Sequence, residues 1–160
     1  MNRLVKLGAA ALAATVALVG GFEGLRTRAY LDPVGIPTIC YGETFGVEMG
    51  DVHSVEECKA MLVAHLSEFS TGMDRCITNP AVPDKTYIAL LSFTYNVGVG
   101  AFCRSTLLRK LNAGDLVGAC NELPRWNRAG GRVLNGLTIR RMAEKELCLE
   151  GLPRIMGSRA

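Results

Sequence analysis

What this chain lacks narrows its function quickly. It has two histidines, His53 and His65, and none of its six cysteines stands in a CxxC pair, so no metal site is expected. There is no GxGxxG, P-loop or helix-turn-helix pattern, and the basic residues are scattered, which argues against nucleotides and nucleic acid as partners. No internal repeat or low-complexity block occurs, and nothing calls for a cofactor. Aromatic residues make up only 6% and charged residues 21% against 49% apolar, an ordinary globular composition and not that of a disordered or polytopic membrane protein. The length suits one domain with a proper core, and a monomer is expected.

The longest absence is of charge. After Arg3 and Lys6, residues 7–22 (LGAAALAATVALVGGF) carry none. Basic residues ahead of an apolar run are what an export signal needs. As a helix this run would be roughly 24 Å long, short of a hydrocarbon core of about 30 Å. Its strongly apolar side chains, Leu7, Leu12, Val16, Leu18, Val19 and Phe22, supply roughly 2 to 4 kcal/mol of insertion energy, reduced by the glycines and Thr15. That makes a marginal anchor. Two other readings stay open: a signal peptide cleaved near Ala11-Leu12-Ala13, which would leave an apolar stub, and a buried first helix using Leu12, Val16 and Val19 on one face.

Eighteen Lys and Arg against fifteen Asp and Glu give a formal net charge of +3, compatible with an anionic polymer but also with simple solubility. Cys40, Cys58, Cys76, Cys103, Cys120 and Cys148 form an even set behind an export-like N-terminus, which points to disulfides made in the bacterial periplasm. Their spacing leaves the connectivity open.

Beyond residue 30 the pattern becomes turn-rich, with Pro33, Gly35, Pro37 and Gly42 among the β-formers Tyr30, Val34, Ile36, Thr38, Ile39 and Tyr41; short strands are expected between Tyr30 and Thr44. Ser54-Val55-Glu56-Glu57 has capping-box form and opens a helix continued by Cys58, Met61, Leu62, Leu66 and Phe69. A strongly apolar helix through Ile88, Leu91 and Tyr95 follows the turn at residues 79–84 and ends near Gly98. Residues 105–112 predict a short helix closed by Gly114, Asp115 caps the next one toward Pro124, and Ala129-Gly130-Gly131 reads as a loop. The last amphipathic helix spans 137–149, with Arg140, Arg141, Glu144 and Glu146 expected outward, and the tail from residue 152 to 160 is expected to fray.

Glu23, Asp32 and Thr38 sit directly after the uncharged run. An acid, a second carboxylate and a hydroxyl gathered by a turn are the parts needed to cut a glycosidic bond with water. Glu23, at the end of an apolar helix, is expected to be desolvated and so held as an acid, while Asp32 in its turn stays wetter and ionised. Thr38 comes back across the turn to orient a water. Asp-Pro-x-Gly is also a common turn, and Thr a common strand residue.

Together with CYGET at 40–44, ALLSFTYNVG at 89–98, STLLRKLN at 105–112, Arg125-Trp126 and Gly130-Gly131, this spacing resembles the phage lysozymes of glycoside hydrolase family 24, from about Phe22 to Leu149. The resemblance implies an α+β, mainly helical, lysozyme-like domain over 22–151, with a small β-hairpin lobe near 30–46 and a helical lobe. It also implies a muramidase that cleaves the β-1,4 bond between N-acetylmuramic acid and N-acetylglucosamine in peptidoglycan. Carried over to this chain, Glu23 is the general acid, Asp32 the second carboxylate and Thr38 the residue that places water. Glu43 stands where many members have His, either acting on Glu23 or covering the surface. Residues 1–21 then resemble the signal-arrest-release segment of lambdoid-phage endolysins, with the host export machinery and the host inner membrane as partners and release into the periplasm as the activating step. The segment itself holds no cysteine, so thiol exchange from the anchor is not available as a trigger. Alternatives are a lytic transglycosylase on the same bond and a non-catalytic wall-binding protein.

Overall fold

A computed structural model describes residues 1–153, so the tail expected over 152–160 lies, from residue 154 on, outside the described residues. The chain divides into two compact units, one of Met1–Thr71 and one from Gly72 onward.

In the first unit a single turn, α1 (Arg3–Lys6), precedes α2 (Ala9–Glu23), the hairpin strands β1 (Arg26–Leu31) and β2 (Pro37–Cys40), and α3 (Val55–Asp74), whose last residues pass into the second unit. The start of the chain is tied down: the Asn2 amide donates to Ser67 O at 2.9 Å and Ser67 Oγ at 2.7 Å, and Leu4, 1% exposed, donates its backbone N–H to Ser70 Oγ. The uncharged run does form a helix, α2, but one that is apolar on every side, with only Thr15 and Val19 fully buried and Leu12 and Val16 half-buried. Glycine explains how α2 docks. A Cβ on Gly20 would meet the Tyr41 ring at 3.0 Å and Leu62 at 3.6 Å.

The hairpin begins at Arg26, four residues before the expected lobe, because Gly24 takes a positive φ of 75° and releases the chain from α2 straight into β1. Register shifts between Arg26↔Cys40 and Tyr30↔Thr38, so β1 bulges, and its middle turns to a neighbouring segment through Ala29 N–H to Asp51 O and His53 N–H to Thr27 O. The Cys40–Cys58 disulfide joins the end of β2 to α3, and Cys40 takes a left-handed conformation, φ 59°, that side chains rarely adopt. The capping box on α3 forms in both directions: Glu57 N–H to Ser54 Oγ, and Ser54 N–H to Glu57 Oε2.

The second unit holds α4 (Asp84–Val97), α5 (Val99–Cys103), α6 (Thr106–Asn112), α7 (Leu116–Glu122) with a following 3-10 turn, the two-residue strands β3 (Arg128–Ala129) and β4 (Arg132–Val133), and α8 (Asn135–Glu150). Ser105 and Asp115 cap α6 and α7 with their side-chain oxygens, and Gly114 turns between them at φ 86°. The loop expected at residues 129–131 is the tip of a small hairpin. Every position from Thr86 to Thr94 is buried, so α4 is the core helix. The cysteines here pair as Cys76–Cys103 and Cys120–Cys148.

The outward placement of Arg140, Arg141 and Glu144 is overturned. All three are buried, at 5%, 0% and 0% exposure, because α8 packs its charged stripe against α4. Ser92 Oγ donates to Glu144 Oε1 at 2.7 Å, Arg140 Nε lies 3.1 Å from that oxygen, Arg141 Nε lies 2.7 Å from Oε2, and the Arg141 guanidinium covers the Phe93 ring at 5.0 Å. Burial pushes the Glu144 carboxyl above its ordinary value, against the opposing pull of Arg141, Ser92 and Arg140. Two guanidiniums on one carboxylate let a charged stripe enter a core.

Candidate active site

Glu23 is the last residue of α2, and its position depends on residues 9–22 being helical. It lines a cavity of about 470 Å³ with Gly24, Leu25, Arg26 and Tyr30. Glu23 is exposed, so the desolvation expected from the end of an apolar helix is not what surrounds it: the helix ends there and the side chain opens into the cavity. A larger groove of about 530 Å³ runs between α2, Tyr41 and α3, but Lys59 is the only charged residue in its lining, so size does not mark the chemistry.

Asp32 opens the hairpin turn. Its Oδ1 accepts from Val34 N–H at 2.9 Å and Ile36 N–H at 2.8 Å, while its backbone pairs with Gly35 and Ile36. The turn-forming role and the chemical one are compatible, since among the described residues Oδ2 accepts nothing from the protein. The expected contrast in burial is reversed: Asp32 is half-buried and Glu23 exposed. Thr38, 3% exposed, donates its hydroxyl proton to Ile36 O at 2.9 Å, leaving the oxygen as an acceptor.

Asp32 and Thr38 do not line the Glu23 cavity themselves. The link is Tyr30. It lines that cavity, and it stands opposite Thr38 across the hairpin, where directly paired residues share a face. One hairpin face therefore carries Thr38 and the ring that walls in Glu23.

Glu43 is absorbed by its own loop. Oε1 accepts from Thr44 N–H at 3.2 Å and Phe45 N–H at 3.1 Å, and Oε2 lies 3.1 Å from His65 Nε2 on α3. Its carboxylate shapes the turn after β2. Arg26 and Tyr30 were not expected as site residues; the one signal for them is that both follow Glu23 closely in the chain, and their meeting depends on the bulge between them.

Residues 20–144 match the phage lysozyme family. The chain is 43% identical over 150 residues to the SAR-endolysin of bacteriophage PS119, covering 90% of this chain and 89% of that one. Among solved structures it resembles the muramidase domain of SpmX from Asticaccaulis excentricus, with 33% identity, 88% and 96% of the two chains covered and a TM-score of 0.78. It also resembles the active form of the P1 phage endolysin Lyz, with 27% identity, 89% and 86% covered and a TM-score of 0.79. This chain belongs to the phage lysozyme family, and with it to the glycoside hydrolases of lysozyme type.

Proposed function

We propose that the chain is a phage endolysin that cleaves the β-1,4 bond between N-acetylmuramic acid and N-acetylglucosamine, with Glu23 as general acid and with Asp32 and Thr38 handling the water. Glu23 donates its proton to the leaving glycosidic oxygen as the bond to the anomeric carbon breaks. Positive charge then develops on the sugar ring. The unoccupied Oδ2 of Asp32 is a suitable stabiliser for that charge or base for the incoming water, and Thr38 Oγ1 is a suitable acceptor for one of the water's protons.

The observation that carries this reading is that Glu23 terminates the helix made by the uncharged segment. Any state that withdraws residues 9–22 into lipid removes the support that sets Glu23 beside Arg26 and Tyr30. We infer that the protein is exported, held inactive at the host inner membrane by this segment, and activated when the segment leaves the bilayer for the periplasm. Among the described residues no helix is long and apolar enough to cross a membrane. A helix of 15 residues spans roughly 22 Å, which suits an anchor that lets go.

The test is turbidity loss of purified walls, with membrane-bound and soluble fractions assayed separately. The soluble wild type should lyse walls, the membrane fraction should not, and Glu23→Gln should be inactive in both. Undiminished lysis by Glu23→Gln would sink the catalytic assignment, and a protein wholly soluble from its first appearance would sink the tethered state. Products ending in a 1,6-anhydro sugar would show transglycosylation in place of hydrolysis.

A further inference from the structure

The geometry points to Arg26, stacked on Tyr30, as the subsite that takes a carboxylate of the glycan strand beside the bond being cut; this rests on the reading of Glu23 given above. The Arg26 guanidinium carbon lies 4.7 Å from the centroid of the Tyr30 ring, and both residues line the cavity that holds Glu23. Four residues of regular strand separate their Cα atoms by roughly 13 Å, so the stack is not a default of strand geometry. The bulge in β1 is located between these two residues, where the register shifts, and bending the strand there is what brings the guanidinium over the ring.

A guanidinium seated over a ring uses none of its N–H groups on an oxygen acceptor there. Among the described residues no carboxylate pairs with Arg26, and none of its N–H groups is hydrogen-bonded within the protein. By contrast Arg140 and Arg141 both pair with Glu144, and Arg125 pairs with Glu122. Arg26 is thus an exposed cation, its fork available, on the wall of the catalytic cavity. The fork matches a carboxylate in bidentate geometry, which a lysine would not reproduce.

Muramic acid offers that carboxylate in two forms. Its lactyl ether ends in a carboxyl group that is free on a bare strand, and that is tied up as an amide on a peptide-bearing strand, where the peptide's own carboxylates take its place. N-acetylglucosamine has no such group. A cation beside Glu23 therefore sets which sugar lies on which side of the bond, and so contributes to specificity for the muramic acid linkage.

The experiment compares wild type, Arg26→Gln, Arg26→Lys and Tyr30→Leu on three substrates: native walls, strands stripped of peptide by an amidase, and stripped strands whose lactyl carboxyls have been amidated. Arg26→Gln should raise KM about tenfold on a carboxylate-bearing substrate, with kcat within about twofold, the size expected for losing a charge-assisted pair at a partly solvated site. Arg26→Lys and Tyr30→Leu should fall between. Wild type should lose a similar factor on amidated strands, and Arg26→Gln should lose nothing further there. Loss confined to native walls assigns the peptide carboxylates, and loss confined to stripped strands assigns the lactyl group. An equal loss on amidated strands, a fall in kcat alone, or no loss on any substrate overturns the proposal. Glu23→Gln is run alongside: activity retained there breaks the catalytic reading and leaves the Arg26 comparison standing.

Discussion

Two adjacent glycines at the end of α2 provide a test of how the uncharged segment is held. Replacing either by alanine adds one methyl group to the segment and removes one helical glycine, a gain of about 0.5–1 kcal/mol in helix stability. Only their surroundings differ. A Cβ at Gly21 meets nothing within 4 Å, whereas one at Gly20 lies 3.0 Å from Tyr41 Cε1. The Tyr41 ring is not free to retreat, because it packs on the cluster of Ile39, Cys40 and Cys58 that the disulfide closes. Overpacking of this size costs about 1–3 kcal/mol. Gly21→Ala should therefore raise the Tm of the oxidised soluble protein by about 1–4 °C, and Gly20→Ala should melt about 2–12 °C below it, using about 2–4 °C per kcal/mol for a chain of this size. The readout is thermal unfolding by circular dichroism. Because both variants add the same methyl group to a membrane-bound segment, Gly20→Ala should also leave more protein in the membrane fraction than Gly21→Ala. Equal shifts in the same direction would mean that α2 is not seated on Tyr41.

Glu122 accepts from Lys110 Nζ at 2.6 Å and pairs with Arg125 at 3.1 Å, and the Lys110 hydrogen bond, ahead of Arg125, holds its carboxyl below the ordinary value. A depressed carboxylate pKa stabilises the fold above the unfolded value and ceases to do so as pH falls through the folded one, so Glu122→Gln should cost about 1 kcal/mol in urea unfolding at neutral pH and nothing in strong acid. A difference that persists in acid would refute the electrostatic origin. Glu144→Gln leaves two buried guanidiniums without their carboxylate and should lower stability by about 3–5 kcal/mol by denaturant titration, far more than an outward-facing glutamate would. Serine at both Cys120 and Cys148 opens a loop of 28 residues and should lower stability by about 3–4 kcal/mol in the same assay; no change would mean that the bond does not form in the exported protein.

The helix boundaries legible in the sequence are those set by local chemistry. Ser54 with Glu57, Ser105 and Asp115 cap their helices with side chains that reach only three residues along the chain, so their effect is written in neighbouring letters. The stripe of α8 misled for the opposite reason. Arg140, Arg141 and Glu144 have the composition of a solvated face, and only their meeting with Ser92 and Phe93 of α4 makes a buried network. Glu43 is similar: its partner His65 is on another element, and nothing near Glu43 in the chain announces it.

By itself, the sequence determined an uncharged segment ending at an acid, an even set of cysteines, and the spacing of Glu23, Asp32 and Thr38, because each is a property of residue types and their order. The tertiary structure decided which cysteines meet, that Glu23 opens into a cavity instead of being desolvated, and that Arg26 is stacked on Tyr30. The last two follow a positive φ at Gly24 and a bulge in β1, where the path of the backbone, and not the identity of any one residue, sets what comes together.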